Sequence, residues 1–499
     1  MKRSKFNLSH YKLFSFDMGH LVPIGLQEVL PGDTFQMSTS ALIRCSPLVA
    51  PIMHPVHVRI HHWFVPHRLV WDNWEDFITG GPDGNNTDTL PTRSFPTGPA
   101  IGTLSDYLGV PAGVNNIEVS ALPYRGYAMI WNEFYRDQDL QAPLDIDTGD
   151  GPDTLTNITL QNCAWEKDYF TSARPWEQKG PSITIPIGTE APITGIGVLN
   201  SAIDPFSNTA QTVRETGGAA VVYPADQNRP TSAANIFYVK GTGINGDPDI
   251  NADLTGVSTV TINVLREAFA LQRFAEARAR FGSRYVEYLR YLGVRSSDAR
   301  LQRPEYLGGG RQTIQFSEVL STADTTNVPV GGMKGHGLGA MRSNRFRRFF
   351  EEHGYIFSLM SVKPRTVYTQ GIPRHWNRRN REDFWQKELQ HIGQQEILKK
   401  EIYYAADGSG NDTWGYQDRY DEYRRGYSQV SGDFRTSNLN YWHMARIFTS
   451  APALNAAFVQ ADPTNRIFAS STLDTMYAMC NHSVVARRMV AGKGSSFIY

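Results

Sequence analysis

The side chains of this chain with the densest chemistry lie between Lys334 and Arg381, where eleven Lys and Arg stand against two acidic residues. The formal net charge of the whole chain is zero, so the excess is local. The Arg are interleaved with aromatics, first in Met341–Phe350 and again in Arg374–Arg381 around Trp376. Guanidinium groups neutralise phosphates and rings offer faces to unpaired bases, a combination that suits single-stranded nucleic acid better than a duplex groove. The expected contacts are Arg342, Arg345, Arg347, Arg348, Arg374, Arg378, Arg379 and Arg381, with Lys2, Arg3 and Lys5 as an N-terminal arm. The competing reading is a solvated surface whose charge is balanced by acidic neighbours in the fold.

Other candidate chemistry fails on geometry. His54, His57, His61, His62 and His67 resemble a metal cluster, yet on a strand His57 and His61 share a face about 13 Å apart and His62 points the other way. Metal–nitrogen bonds of about 2 Å cannot span that. Asp247–Asp253 opens like a calcium loop, but Ala252 stands where Gly is required and Ser258 where the bidentate Glu belongs. Asp145–Asp153 is a second acidic loop of the same kind. Gly308–Gly310 and Gly331–Gly335 lack the order of a phosphate-binding loop and read as turns. No metalloprotease or serine-hydrolase motif occurs. Glu351 and Glu352, adjacent on a helix, would diverge and could not act as a glycosidase pair. No catalytic residue, metal or cofactor is expected.

The elements that must position the basic stretch are mostly strands. In Val56–Val65, residues 56, 58, 60 and 64 form one apolar face against His57, Arg59 and His61, which predicts a strand with one face on a core. Ser182–Ile187 and Tyr355–Val362 read as further strands, the first an edge because of Pro186. Helices are inserted between them. One opens at Ser120 and carries Tyr124, Tyr127, Trp131, Phe134 and Tyr135 at helical spacing. A second runs from Leu265 to Leu292 with a joint at Gly282, and a third is expected over Arg381–Tyr403, opened by Glu382 and Asp383. Trp71, Trp74 and Phe77 form a short amphipathic turn expected to be buried as core or interface and not as a ligand site.

At 499 residues, with 43 Gly and 28 Pro, the chain favours turns and long loops over a helical bundle. Cys45, Cys163 and Cys480 are odd in number and far apart, which predicts reduced thiols. No run of about 18 apolar residues is present, so no membrane helix is expected. Charge is segregated: residues 137–166 hold seven acids and no Lys or Arg. Residues 181–262 also hold seven acids, contain no Trp or Met, and have only Phe206, Tyr223, Phe237 and Tyr238 as aromatics. Such a segment buries little apolar surface and should stand out from the core as a loop or small subdomain.

Glu28–Thr34, Pro47–Pro55, Leu69–Gly81, Asp168–Gly180, Asp298–Gly308, His391–Glu396 and Gly415–Tyr420 carry a resemblance that spans nearly the whole chain. In these segments the sequence resembles the major capsid proteins of microviruses, specifically the gokushovirus branch. The resemblance implies a mainly β fold, an eight-stranded antiparallel viral jelly roll with long inserted loops and several helices. It implies a core of residues 1–180 and 263–499, with 181–262 as the surface insertion that clusters at threefold axes. It further implies sixty copies in a T=1 icosahedral virion around circular single-stranded DNA, assembled in the host bacterial cytoplasm. Implied partners are an internal scaffolding protein, a DNA pilot protein, a small DNA-binding protein and a host cell-surface receptor. On that reading the insertion attaches to the host, with Phe206, Tyr223, Phe237 and Tyr238 as its candidate receptor-binding residues, and some of the Arg pair with acids across subunit contacts. A β-sandwich carbohydrate enzyme or an adhesin is the alternative, and the sequence supplies neither paired carboxylates nor disulfides for them.

Overall fold

The computed structural model describes residues 3–183 and 262–492, apart from 283, 323, 325–329, 406–408 and 471, and the backbone of five short strands between 193 and 252. By its contacts the chain divides into two units, Met1–Lys179 with Glu276–Tyr499, and Gly180–Ala275. In the first unit ten antiparallel strands make one sheet: β1 Ser4–Asn7, β2 His10–Phe16, β3 Val22–Val29, β4 Thr34–Cys45, β5 Val56–Pro66, β6 Glu305–Leu320, β7 Met333–Arg342, β8 Phe346–Phe349, β9 Gly354–Pro364 and β10 Met476–Arg488. Eight of them lie on the hydrogen-bonded path β1-β10-β4-β7-β6-β5-β9-β3, while β2 pairs with β10 and β8 with β4. Strands distant in sequence are thus paired across a curled sheet with long insertions between them, the jelly-roll arrangement.

Alternation along the strands builds the interior. Val56, Val58 and Ile60 of β5 face Ile43, Ile314, Met341, Met360, Val362 and Cys480 in one apolar cluster. For β5 one face on a core is expected, but both are covered: on the opposite side Trp63 and Val65, with Phe357 and Leu359 of β9, pack into a second cluster with Tyr124, Tyr127, Trp131 and Tyr135. These aromatics come from the predicted helix, α1 (Leu122–Ile130), and the π-turn Trp131–Tyr135 that continues it. The Tyr135 hydroxyl joins the two layers, 2.7 Å from His61 Nδ1 and accepting from Trp63 Nε1 at 3.1 Å. Close approach requires Gly126, where a Cβ would fall 2.7 Å from the Phe357 ring. Helices α2 (Ile262–Phe281) and α3 (Tyr285–Tyr291) flank Gly282, whose φ of 99° makes it the expected joint.

Other expectations are corrected. Within the chain Trp71 is fully buried, Trp74 half-buried and Phe77 exposed, so of the expected group Trp71 belongs to the core. In place of a helix over Arg381–Tyr403 there is a 3-10 turn at Arg381–Asp383, a strand Gln394–Leu398 paired with Thr413–Asp418, and a short helix Lys399–Ile402. The Asp383 carboxylate accepts from the backbone N–H groups of Arg379 and Asn380, which closes the turn locally. Glu351 and Glu352 lie on the loop before β9, not on a helix, and Glu352 pairs with Arg68. Of the predicted strand Ser182–Ile187, residues 182 and 183 are not in a strand and the rest lie outside the described residues. In the second unit Gln211–Glu215 pairs antiparallel with Ile196–Val198 and Ala220–Tyr223, and Asn251–Ala252 with Ile193–Thr194.

Inside the barrel one polar chain joins strands from both halves of the sheet. His482 Nε2 donates to the Ile24 carbonyl at 2.9 Å, which leaves Nδ1 to accept from the Thr39 hydroxyl at 2.8 Å. Ser343 Oγ accepts from Thr39 N at 2.8 Å and lies 3.0 Å from His62 Nε2, and His62 Nδ1 is 2.8 Å from Ser358 Oγ. Burial holds both imidazoles in the neutral form, with His62 pushed down to about 3 and His482 to about 4. The ionisable neighbours are His10, Lys12 and His61, and none supplies a negative charge. Both histidines take up protons more readily when the chain is unfolded, so stability should fall as pH drops below about 6.5 and keep falling to about 4, by about 3 kcal/mol for His482 alone. Thermal melting across pH 7 to 4 checks this: His482→Gln should make the profile shallower, with His54, His61, His62 and His67 supplying what remains, and an equally steep profile in the variant would refute it.

Candidate nucleic-acid interface

The alternation that points Met341, Ser343 and Phe346 inward points Arg342, Arg345 and Arg347 out. Pairing register then fixes which residues share the outer face. Across β8, β4, β10 and β1, Phe349, Thr34, Arg487 and Lys5 stand in one row, and Arg347, Gln36, Val485 and Asn7 in the next parallel row. Across β7, β4, β10 and β2 the rows are Arg342, Ser40, Asn481, Tyr11, then Ala340, Leu42, Met479, Leu13, then Leu338, Arg44, Tyr477, Ser15. None of these rows contains Asp or Glu. The face runs along β4 from Thr34 to Arg44, about 33 Å at strand rise.

Two properties set this face apart. Lys5, Arg44, Arg342, Arg347 and Arg487 are exposed and have no ion-pair partner among the described residues. Between them lies exposed apolar surface, with Tyr11 at 72% and Leu13 at 74% exposure beside Leu42, Leu338, Phe349 and Met479. Whereas the helical insertion covers the second face of β5 and β9, no described element covers this one to the same extent. Chemically it offers point charges for phosphates around a flat floor on which rings can lie.

The sequence-predicted residues separate into three groups. Arg342, Arg345 and Arg347 are exposed on β7, β8 and the turn between them. Arg3 and Lys5 do not form a free arm. Ser4–Asn7 is paired with β10, and Arg3 donates to the Gly32 carbonyl at 3.0 Å with its guanidinium 5.4 Å from the Phe349 ring centre. Lys2 lies outside the described residues. Arg374 and Arg378 are committed to acids within the chain. Arg374 Nη1 is 2.9 Å from Glu401, and Arg378 Nη2 is 3.5 Å from Glu422, with its guanidinium 4.5 Å from the Tyr423 ring. Burial raises the Glu401 carboxyl while Arg374 opposes it, so this pair holds the fold. Arg348 reaches Glu305 at 2.8 Å, Arg381 pairs with Glu382 at the surface, and Arg379 is exposed but donates to two carbonyls beside it. Sequence reasoning missed Arg44, whose sole signal was the alternation of Ser40, Leu42 and Arg44.

The other candidates are placed as structure. His57 Nδ1 lies 3.1 Å from Thr313 Oγ1, His54 Nε2 is 2.6 Å from the Arg365 carbonyl, and His67 packs on Trp74 and Tyr355. In the Asp145–Asp153 loop, Asp153 accepts from the buried Arg125 at 2.8 Å. No group of His, Cys, Asp and Glu suited to a metal occurs among the described residues. Cys45, Cys163 and Cys480 are free and buried, and no described helix is long and apolar enough to cross a membrane. Phe206, Phe237 and Tyr238 lie outside the described residues, and of Tyr223 only the backbone is described.

A curled antiparallel jelly roll with long insertions is an architecture that viral shell proteins use. The family model described as "Capsid protein (F protein)" matches residues 1–497, and the chain belongs to that family. It is 38% identical to capsid protein VP1 of Bdellovibrio phage phiMH2K, over 92% of this chain and 88% of that one. It is 36% identical to capsid protein VP1 of Chlamydia phage 1, over 94% and 91%, and 30% identical to capsid protein VP1 of Spiroplasma virus 4, over 93% and 88%.

Charge removal separates the groups of arginines. A triple Arg342→Gln, Arg347→Gln, Arg487→Gln variant should fold and melt normally, bind single-stranded oligonucleotides more weakly, and show a log–log salt slope smaller by about 2. Arg374→Ala should instead lose about 3 to 5 kcal/mol of stability by stranding the buried Glu401. Measured salt slopes and denaturant midpoints decide, and the assignment fails if the two variants behave alike.

Proposed function

We propose that this chain is the major capsid protein of a small phage, that sixty copies close a T=1 shell around circular single-stranded DNA, and that the open face of β8, β4, β10 and β7 turns toward the genome. Its role is structural and not catalytic. The observation that carries the reading is that the paired rows of that face hold no acid, with Asp474 only at its edge beside Ser15, and carry unpaired arginines and an exposed apolar floor. Membership of the capsid family supports the shell, and the charge of the face supports its orientation. A scaffolding protein, a pilot protein and a small basic DNA-binding protein complete the proposed particle. The segment 181–262 is proposed as the host-attachment module, presented in threes so that weak contacts gain by multivalency, with Phe206, Tyr223, Phe237 and Tyr238 as its aromatic groups.

Electron microscopy of the purified protein with its scaffolding partner should give uniform small closed particles, and amorphous or open assemblies would refute the shell. Replacing 181–262 by a short Gly-Ser linker should leave the barrel folded, because loop closure entropy grows slowly with length. Particles of this form should lose adsorption to host cells. Normal adsorption would place the receptor site elsewhere.

A further inference from the structure

Two exposed segments of the first unit carry opposite charge, and neither is neutralised among the described residues. One is α3 with the turns after it. Between Tyr288 and Arg303 the single acid is Asp298, held by Arg303 at 2.6 Å, while Arg290, Arg295 and Arg300 are exposed and form no ion pair among the described residues. The polar side of α3 is spent on the helical insertion, where Glu287 accepts from Gln138 at 2.8 Å. What meets solvent is apolar: Tyr285 is 66% and Leu292 54% exposed, and Tyr291 packs on Phe281 with ring centres 5.2 Å apart.

The other segment is residues 69–92, which hold five acids and no Lys, Arg or His. Asp72, Asp76 and Asp83 are exposed and form no ion pair among the described residues. Beside them, on the helix Trp74–Thr79, Phe77 and Ile78 are exposed as well. The two segments are neighbours. Trp74 packs on His67 with ring centres 4.6 Å apart, and the next residue, Arg68, donates to the Gln302 side chain, two positions beyond Arg300.

A basic and an acidic patch lying side by side on one surface are self-complementary under a half-turn. The basic patch of one copy then covers the acidic patch of a second, and the reverse contact forms at the same time. A rotation that closes a ring of three or five would need the two patches on opposite flanks of the subunit. A partner protein of one sign would satisfy one patch and leave the other bare.

We propose that two copies of this chain meet here in an isologous, twofold contact. Arg290, Arg295 and Arg300 of each copy face Asp72, Asp76 and Asp83 of the other, and the exposed rings of α3 close over the short acidic helix. The inference rests on the reading that copies of the chain close a shell, and it assigns one of the contacts such a shell needs. It also accounts for Phe77 and Ile78, which stay outside the core that takes Trp71.

Sedimentation of the purified full-length protein at low ionic strength should show a monomer–dimer equilibrium that added salt weakens. Arg290→Glu with Arg295→Glu, and separately Asp76→Arg with Asp83→Arg, should each weaken dimerisation at least tenfold, because each sets like charges against one another in both halves of the contact. An equimolar mixture of the two variants should dimerise as wild type does, and so should a chain carrying all four changes. All four positions are exposed, and melting curves will confirm that the variants fold. The proposal is overturned if wild-type protein forms no dimer, if either variant dimerises as wild type, or if neither the mixture nor the fourfold variant recovers. Electron microscopy with the scaffolding partner separates this from the shell reading. Closed particles from both variants would overturn the contact and leave the shell standing, whereas open assemblies from wild-type protein would refute the shell itself.

Discussion

The structure depends on the closure of one antiparallel sheet over itself. His482 on β10 reaches the carbonyl of Ile24 on β3, the strand at the far end of the hydrogen-bonded path. Gly25 makes room, since a Cβ there would lie 3.0 Å from the imidazole. An uncharged polar chain through Thr39, Ser343, His62 and Ser358 then links both halves where an apolar interior would leave their relative register free. Every member must be paired, because buried polar groups left unmatched cost more than they return.

Closure also decides which surfaces remain. The barrel interior takes one face of every strand. On the β5 and β9 half, the aromatic insertion takes the other face as well. On the β4 and β10 half the outer face carries charge without counter-charge, and this asymmetry distinguishes the two sides of the molecule. Acids are not lacking in the chain. Many are spent inside it, on Arg125, Arg374, Arg378 and the cluster in which Asp137 and Asp139 hold Arg174.

Much of this was legible in the sequence where a signal is local. Period-two alternation marked β5, and aromatic spacing marked α1. The density of arginine marked Arg342, Arg345 and Arg347. Signals failed where a distant partner decides the outcome. Arg374 and Arg378 look like Arg345 and Arg347 in composition, and only Glu401 and Glu422, brought in by the fold, distinguish them. The acidic start at Glu382 and Asp383 reads as a helix opening, but strand pairing of Gln394–Leu398 with Thr413–Asp418 overrides it. The floor of the sheet face comes from Leu13, Leu42, Leu338 and Met479, too far apart in sequence for any pattern to join them.

The place of β10 has a temporal consequence. It lies between β4 on one side and β1 and β2 on the other, and pairs Met476 with Cys45 and Arg487 with Thr34. A chain growing from its N-terminus therefore makes β1, β2 and β4 long before the strand that must separate them. Until residue 488 has left the ribosome, those edges are unpaired and the interior is open on that side. Loop closure over so long a separation is slow, and exposed edges invite wrong pairings in the meantime. Synthesis and shell formation are thereby ordered in time: a subunit becomes competent to meet its neighbours only after its last long strand has been inserted.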